Sequence, residues 1–175
     1  MRQFRLYSLP GAVAAALVLN ACGSKPAEPI ATVGLGDKVE VGHLVYTAYE
    51  TQWLTQIPGD PTPRIPQDRF FLIRISAVNG GSGSVIVPNL TLQDDRGKTY
   101  EELSNGDGIP EWVGYLRQVK PADNIRGNVV FDAPPGHYKL RVTDESGEKS
   151  ALIDIPLRFN TDTTEVPLPT EKEKK

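Results

Sequence analysis

The sequence predicts an all-β fold, a two-sheet sandwich of about seven to nine short antiparallel strands. Three observations lead there. The 175 residues include 16 Gly and 15 Pro spread along the chain, so turns are frequent and long helices have little room. Through the middle of the chain, apolar residues recur with a period of two, the period of a half-buried strand. The runs so marked are separated by Gly, Pro and Asp clusters. Each resulting sheet is apolar on one face, and two such sheets cover each other by packing face to face.

Taken in order, Lys38 to Leu54 is rich in Val, Tyr, Thr and Trp and reads as two strands joined near Gly42. Arg69 to Asn79 is the clearest strand, with Phe71, Ile73, Ile75 and Ala77 on one face and Arg74 and Ser76 on the other. Gly80-Gly81-Ser82-Gly83 turns the chain into Ser84 to Asp95. Asp95-Arg96-Gly97, between Leu92 and Tyr100, reads as a hairpin turn with Gly at a positive-φ position. In the next run Ile125, Val129 and Phe131 share a face. In the one after it Tyr138, Leu140 and Val142 point in while Lys139 and Arg141 point out. Pro135-Gly136-His137-Tyr138 loosely matches a tyrosine corner. Ile153 and Ile155 close the set.

Composition excludes several functions. A single Cys allows neither an intrachain disulfide nor a multi-thiolate metal site. The one Met is Met1, so no thioether copper site exists. A net charge of -3 offers no basic face for nucleic acid.

The ends of the chain read differently from its middle. Arg2 and Arg5 precede the uncharged run Gly11 to Leu19, the n-region and h-region of a secretory signal. The run is too short to span a bilayer, which takes about 20 residues. It ends in Leu19-Asn20-Ala21-Cys22, which resembles the lipobox of bacterial lipoproteins, with Asn20 departing from the usual small or β-branched residue. The resemblance implies that residues 1–21 are removed and that Cys22 is lipidated, giving the membrane anchor more than one acyl chain. Loss of Arg2 and Arg5 takes the formal charge from -3 to -5, so the body is repelled from anionic headgroups and the lipid must hold it. Residues 22–36, with Pro26 and Pro29 and no aromatic side chain, read as a flexible tether. The sandwich is expected over 37–159, and the polar, Pro-interrupted stretch 160–175 is expected to be disordered.

Three stretches carry a further resemblance: GDKVEVGHLVYT from Gly36, FFLIRISAVNGGSGSVIVPNLTLQDDRGKTY from Phe70, and VKPADNIRGNVVFDAP from Val119. In order and spacing they are similar to the DUF4352 family of bacterial lipoproteins and surface proteins. The matching features are the strand ending in Asn79-Gly80, the Leu92 to Tyr100 hairpin, and Pro121 to Phe131. The resemblance implies an immunoglobulin-like sandwich in an extracytoplasmic place, and it brings no catalytic residues.

Two loops depart from the pattern: the Pro-rich Thr55 to Asp68, and Glu101 to Trp112. Long loops in a compact sandwich often carry function. The aromatic residues Tyr46, Tyr49, Trp53, Trp112 and Tyr115 lie around them in sequence, either to anchor a partner or to plug the end of the sandwich. Asp94, Asp95, Glu101, Glu102 and Asp107 could offer oxygen ligands to calcium, although the spacing fits no EF-hand. His43 and His137 are too few for a zinc site without carboxylate help. No Ser sits in a nucleophile elbow and no Gly-rich segment opens a helix.

The sequence thus points to a lipid-anchored, non-enzymatic binding or structural protein of the cell envelope, without cofactor or metal. The membrane is its partner through Cys22, and an envelope protein is a further candidate. The expected contact surface is Trp53, Pro61, Pro63, Trp112 and Tyr115. The alternative is a calcium- or glycan-responsive surface module.

Overall fold

The computed structural model describes residues 30–59 and 61–158. The signal, Cys22 and the tail 160–175 lie outside the described residues. Eleven strands run in the order β1 (Ala31–Gly34), β2 (Lys38–Val41), β3 (Leu44–Leu54), β4 (Phe70–Asn79), β5 (Val85–Val87), β6 (Thr91–Asp94), β7 (Thr99–Glu101), β8 (Arg117–Val119), β9 (Asn124–Asp132), β10 (Tyr138–Thr143) and β11 (Ser150–Ile155). One sheet has the order β1-β11-β10-β6-β7, the facing sheet β2-β3-β4-β9, and β5 pairs β8 in a small ribbon. The all-β sandwich read from the sequence is the fold. Eleven strands exceed the seven to nine expected: β1 falls in the stretch read as tether, Ser84 to Asp95 holds two strands, β5 and β6, and β8 has three residues, too few for alternation to show.

The core lies between the sheets. Leu44, Tyr46 and Ala48 from β3, Phe71, Ile73, Ile75 and Ala77 from β4, and Leu140, Val142, Ile153 and Ile155 from the facing sheet are buried there. These are the period-two positions, placed inward because burying each aliphatic side chain contributes about 1.5–3 kcal/mol. The β6–β7 turn has Gly97 at φ 83, the positive region that the sequence assigned to it. Tyr138 donates its hydroxyl to the Pro134 carbonyl at 2.5 Å, a tyrosine-corner contact at the start of β10.

Two features correct the sequence reading. Ala31–Gly34, expected to be part of the tether, forms β1 and pairs in parallel with β11, Val33 opposite Ile153. The pairing rests on backbone hydrogen bonds and one half-buried Val, so the composition of the stretch did not reveal it. The second feature is a bulge in β3. Ala48 pairs Ile75 and Glu50 pairs Arg74, leaving Tyr49 unpaired. One extra residue inverts the alternation beyond it. Thr51 and Trp53 therefore face the inner side, and Glu50, Gln52 and Leu54 the outer side.

Candidate binding surface

The two long loops meet. One joins β3 to β4 and the other joins β7 to β8, and both fold back over the outer face of the four-stranded sheet. Outward-facing Phe70 and Leu72 of β4 and Val130 of β9 would be bare apolar surface there. Ile57 from the first loop and Ile109 from the second are buried on them, with Leu54, Leu103 and Trp112 packed around the rim. This is a second hydrophobic core, separate from the one between the sheets.

Backbone contacts fix both loops in place. Ile57 and Arg64 exchange hydrogen bonds at 3.0 and 2.9 Å, closing the Pro-rich loop on itself. The Asp132 carboxylate accepts from the Gln67 and Asp68 amides at 2.7 and 2.9 Å, closing its far side. In the second loop, Leu103 donates to the Val130 carbonyl, Asn128 donates to the Glu111 carbonyl, and Val113 donates to the Asn128 carbonyl. These bonds cover the free edge of β9, an edge that would otherwise template association with another chain. The approach requires Gly127: a Cβ there would lie 2.0 Å from the Glu111 carbonyl oxygen. Glu111 itself holds φ 48, a strained value for a residue with a side chain, and its carboxylate pairs with Arg74.

Arg64 joins one loop to the other. Its guanidinium donates to the carbonyls of Asn105 at 3.0 Å and Asp107 at 3.2 Å and lies 5.5 Å from the centre of the Phe70 ring. Asn105 in turn accepts the Asp107 amide at 2.8 Å, an Asx turn that presents both carbonyls to Arg64. Pro58, Thr62, Arg64, Asn105, Asp107 and Gly108 line a shallow groove of 510 Å³ along the junction. Beside it Ile65 is 68% exposed, and Pro61 and Pro63 are exposed too.

The residues expected to form one contact surface are thus divided. Pro61 and Pro63 lie on the first loop, with half-buried Trp112 and Tyr115 on the second. Trp53 is elsewhere. The bulge turns it to the inner side of β3, where it stacks on Phe71 with ring centroids 3.9 Å apart. It belongs to the main core, and the sheet separates it from Trp112. Trp112 supports the cap from beneath: its ring lies under Gly106, where a Cβ would come within 2.2 Å of it. Its indole N–H is buried without a partner. Sequence reasoning missed Arg64 and Asn105 and read Asp107 as a possible calcium ligand, where the structure uses its backbone carbonyl and amide; the Asn-x-Asp turn was the available signal.

The acidic residues do not converge. Asp94 accepts the Arg96 and Lys98 amides within its own turn, and Glu102 is buried against Arg117. Among the described residues, no group of three His, Cys, Asp or Glu side chains is arranged to hold a metal ion. His43 and His137 stand at opposite ends of the sandwich, the first paired with Glu145.

Fold and cap together define a β-sandwich domain with one elaborated end. The sequence matches the model of a domain of unknown function, DUF4352, over residues 33–151, and the chain belongs to that family. Solved structures share the architecture. MPT63, a secreted protein of Mycobacterium tuberculosis, aligns with a TM-score of 0.55 at 19% identity over 74% of this chain and 98% of its own. The yjhA protein of Bacillus subtilis aligns at 0.52 and 15% identity over 70% of this chain and 98% of its own. A candidate lipoprotein of the same organism, ycdA, aligns at 0.53 and 13% identity over 70% of this chain and 39% of its own. At these identities the likeness speaks for the fold alone. Among curated proteins no relative matches.

Proposed function

We propose that the protein is a lipid-anchored, non-catalytic binding module of the cell envelope, and that the double-loop cap is its contact surface. One observation carries the reading. Two long loops, far apart in sequence, are held together as one ordered cap over the outer face of the four-stranded sheet, and the exposed Pro-rich loop lies at the end of the sandwich remote from where the described chain begins. Ile30 lies beside Gly42, Glu148 and Lys149, in the groove at the end that holds the β2–β3 and β10–β11 turns. The Pro-rich loop leaves β3 after Leu54, at the opposite end of the β3–β4 ladder. With the lipid on Cys22, roughly eight residues separate anchor from domain, a reach of at most ~27 Å. The first end then faces the membrane and the cap faces away from it. A secreted protein and a candidate lipoprotein among the structural relatives accord with an extracytoplasmic place.

Two experiments test the two halves of the reading. Labelled palmitate should enter the wild-type chain and be absent from Cys22→Ala; equal labelling would remove the anchor. Photo-crosslinkers placed at Pro63 and Ile65 in the native envelope should capture a defined protein, and crosslinkers in the β10–β11 turn should not. Substituting Ile65→Asp should then weaken the purified complex at least about tenfold, as losing a central apolar contact does. Affinity unchanged by that substitution would reject the cap as the contact surface.

A further inference from the structure

His137 precedes β10 at the outer rim of the five-stranded sheet, and its ring lies between two carboxylates. Nδ1 is 2.7 Å from Asp95 Oδ1 in the β6–β7 turn, and Nε2 is 2.8 Å from Asp154 Oδ1 on β11. A neutral imidazole has one N–H and one lone pair, whereas an ionised carboxylate only accepts. Both contacts are therefore hydrogen bonds only when both ring nitrogens carry a proton. We propose that His137 is a proton-operated clasp: as the imidazolium it ties the β6–β7 hairpin to β11, and on losing one proton it releases one of them.

The neighbouring groups determine what release does. On the hairpin, the Asp94 carboxylate is occupied by the turn's own amides, and the Lys98 ammonium lies over the Tyr100 ring, 4.4 Å from its centre. Asp95 and Arg96 sit exposed at the tip, so the Asp95 contact is the one most open to water. On β10, Tyr138 has its hydroxyl engaged by the Pro134 carbonyl, and burial holds that phenol above its ordinary value, so it stays protonated. Lys139 lies directly opposite Asp154 in the β10–β11 ladder. It is the cation placed to take that carboxylate when the ring lets go. On the β1 side, Gly34 pairs Asp154, and Asp37 is occupied by the Gly34 amide. Asp154 thus has a substitute partner fixed opposite it by the ladder, whereas Asp95 has only water and the exposed Arg96 of its own tip, which ties it to no other strand, so the hairpin tip is the part set free. A cleft of 440 Å³ runs between that tip and Pro134–Tyr138, and the clasp forms one wall of it. Release reshapes this cleft.

The sign of the effect follows from the contacts. The hydrogen bond to Asp95 first, and that to Asp154 after it, raise the His137 imidazole above its ordinary value against an opposing effect of burial. Stabilisation by the clasp is therefore complete below the unfolded value of about 6.5 and is lost as pH rises through the folded one. All three side chains are partly exposed, so the effect is modest, as for other solvent-screened pairs.

The test uses the soluble domain with residues 22–175 and Cys22→Ser. Proton NMR of the His137 ring should give a titration midpoint above 6.5, and Asp154→Asn should lower it. Amide exchange at residues 95–98, corrected for its intrinsic pH dependence, should quicken between about pH 5.5 and 8.5 in the wild type and stay flat in His137→Gln. The melting temperature of His137→Gln should fall below wild type by about 2–4 °C at the lower pH and match it at the higher. A midpoint at or below 6.5, or hairpin exchange that is equally pH-independent in both chains, would overturn the clasp.

Discussion

Arg117 and Glu102 have no exposed side-chain surface, yet both are ionisable. Nη2 of Arg117 lies 2.6 Å from Glu102 Oε2, which also accepts the Leu90 amide at 3.0 Å. The pair links β8, the segment leaving β7 and the approach to β6, three pieces whose strands are too short to hold each other by their ladders. Burial pushes the Glu102 carboxyl up and the Arg117 charge pulls it part of the way back. Oε1 of Glu102 and Nε and Nη1 of Arg117 are buried without partners, so the pair is imperfectly satisfied. Such a pair is costly to break and cheap to replace as a whole. Glu102→Ala should cost about 3–5 kcal/mol, since it leaves a guanidinium buried alone. Glu102→Leu combined with Arg117→Met should recover most of that loss. Urea denaturation of the three chains measures both, and a double variant as unstable as the single one would show that the ion pair is itself the stabilising element. Nothing in the sequence paired these two residues: Glu102 read as one of five acids that could offer oxygen to calcium, because a charged residue discloses its burial only through a partner that the fold brings to it.

Elements differ in how legible they were. β10 alternates over its full length and β4 from Ile73 to Ala77, and their inward residues could be named in advance, whereas the unbroken apolar run Phe70 to Ile73 did not disclose that Phe70 and Leu72 face the cap. β3 could not be read through, because Tyr49 leaves no mark in composition and yet turns Trp53 from the outer face to the core. The loops were recognised as unusual by length and Pro content, but their joint packing depends on Ile57 and Ile109, two isolated aliphatic residues in polar surroundings. Since the cap has its own small core, its stability should be partly separable from that of the sandwich. Trp112→Ala should cost about 2–3 kcal/mol, below the figure for a fully buried Trp because the ring is half-buried. Amide exchange should quicken at 103–113 well before it does in β4 or β10; uniform quickening would show the cap and sandwich to be one cooperative unit. The β10–β11 turn permits a pH test at the other end. Burial would raise the Asp144 carboxyl, but the Lys149 amide at 3.1 Å, the Ser146 hydroxyl at 2.9 Å and further turn amides outweigh it and lower the group. Its contribution is present above the unfolded value of about 3.9 and lost as pH falls through the lower folded one. Asp144→Asn should therefore melt below wild type at pH 7, and the gap should close in acid; a gap constant with pH would mean that the carboxylate charge contributes nothing.

At the scale of the molecule, stability depends on how the sheet edges are closed. With no disulfide to constrain the chain, exposed strand edges would both weaken the domain and invite association. β9 is covered by the second loop. β11 is covered by β1, four residues that the sequence placed in the tether. The family match begins at residue 33, inside that strand, in agreement with its being part of the domain. If β1 belongs to the sandwich, the boundary at residue 37 cuts through a sheet. A soluble chain beginning at Ile30 should then be monomeric, whereas one beginning at Asp37 loses the parallel ladder and the cover that Val33 and Leu35 give the core. The shorter chain should be less stable by about 2–3 kcal/mol, on the scale of one half-buried Val and one half-buried Leu. It should also self-associate through β11, since Ser150 to Ile155 would present an uncapped row of amides and carbonyls. Chemical denaturation and sedimentation of the two chains decide the matter. Equal stability and equal monomeric behaviour would return residues 31–36 to the tether and leave β11 a tolerated edge.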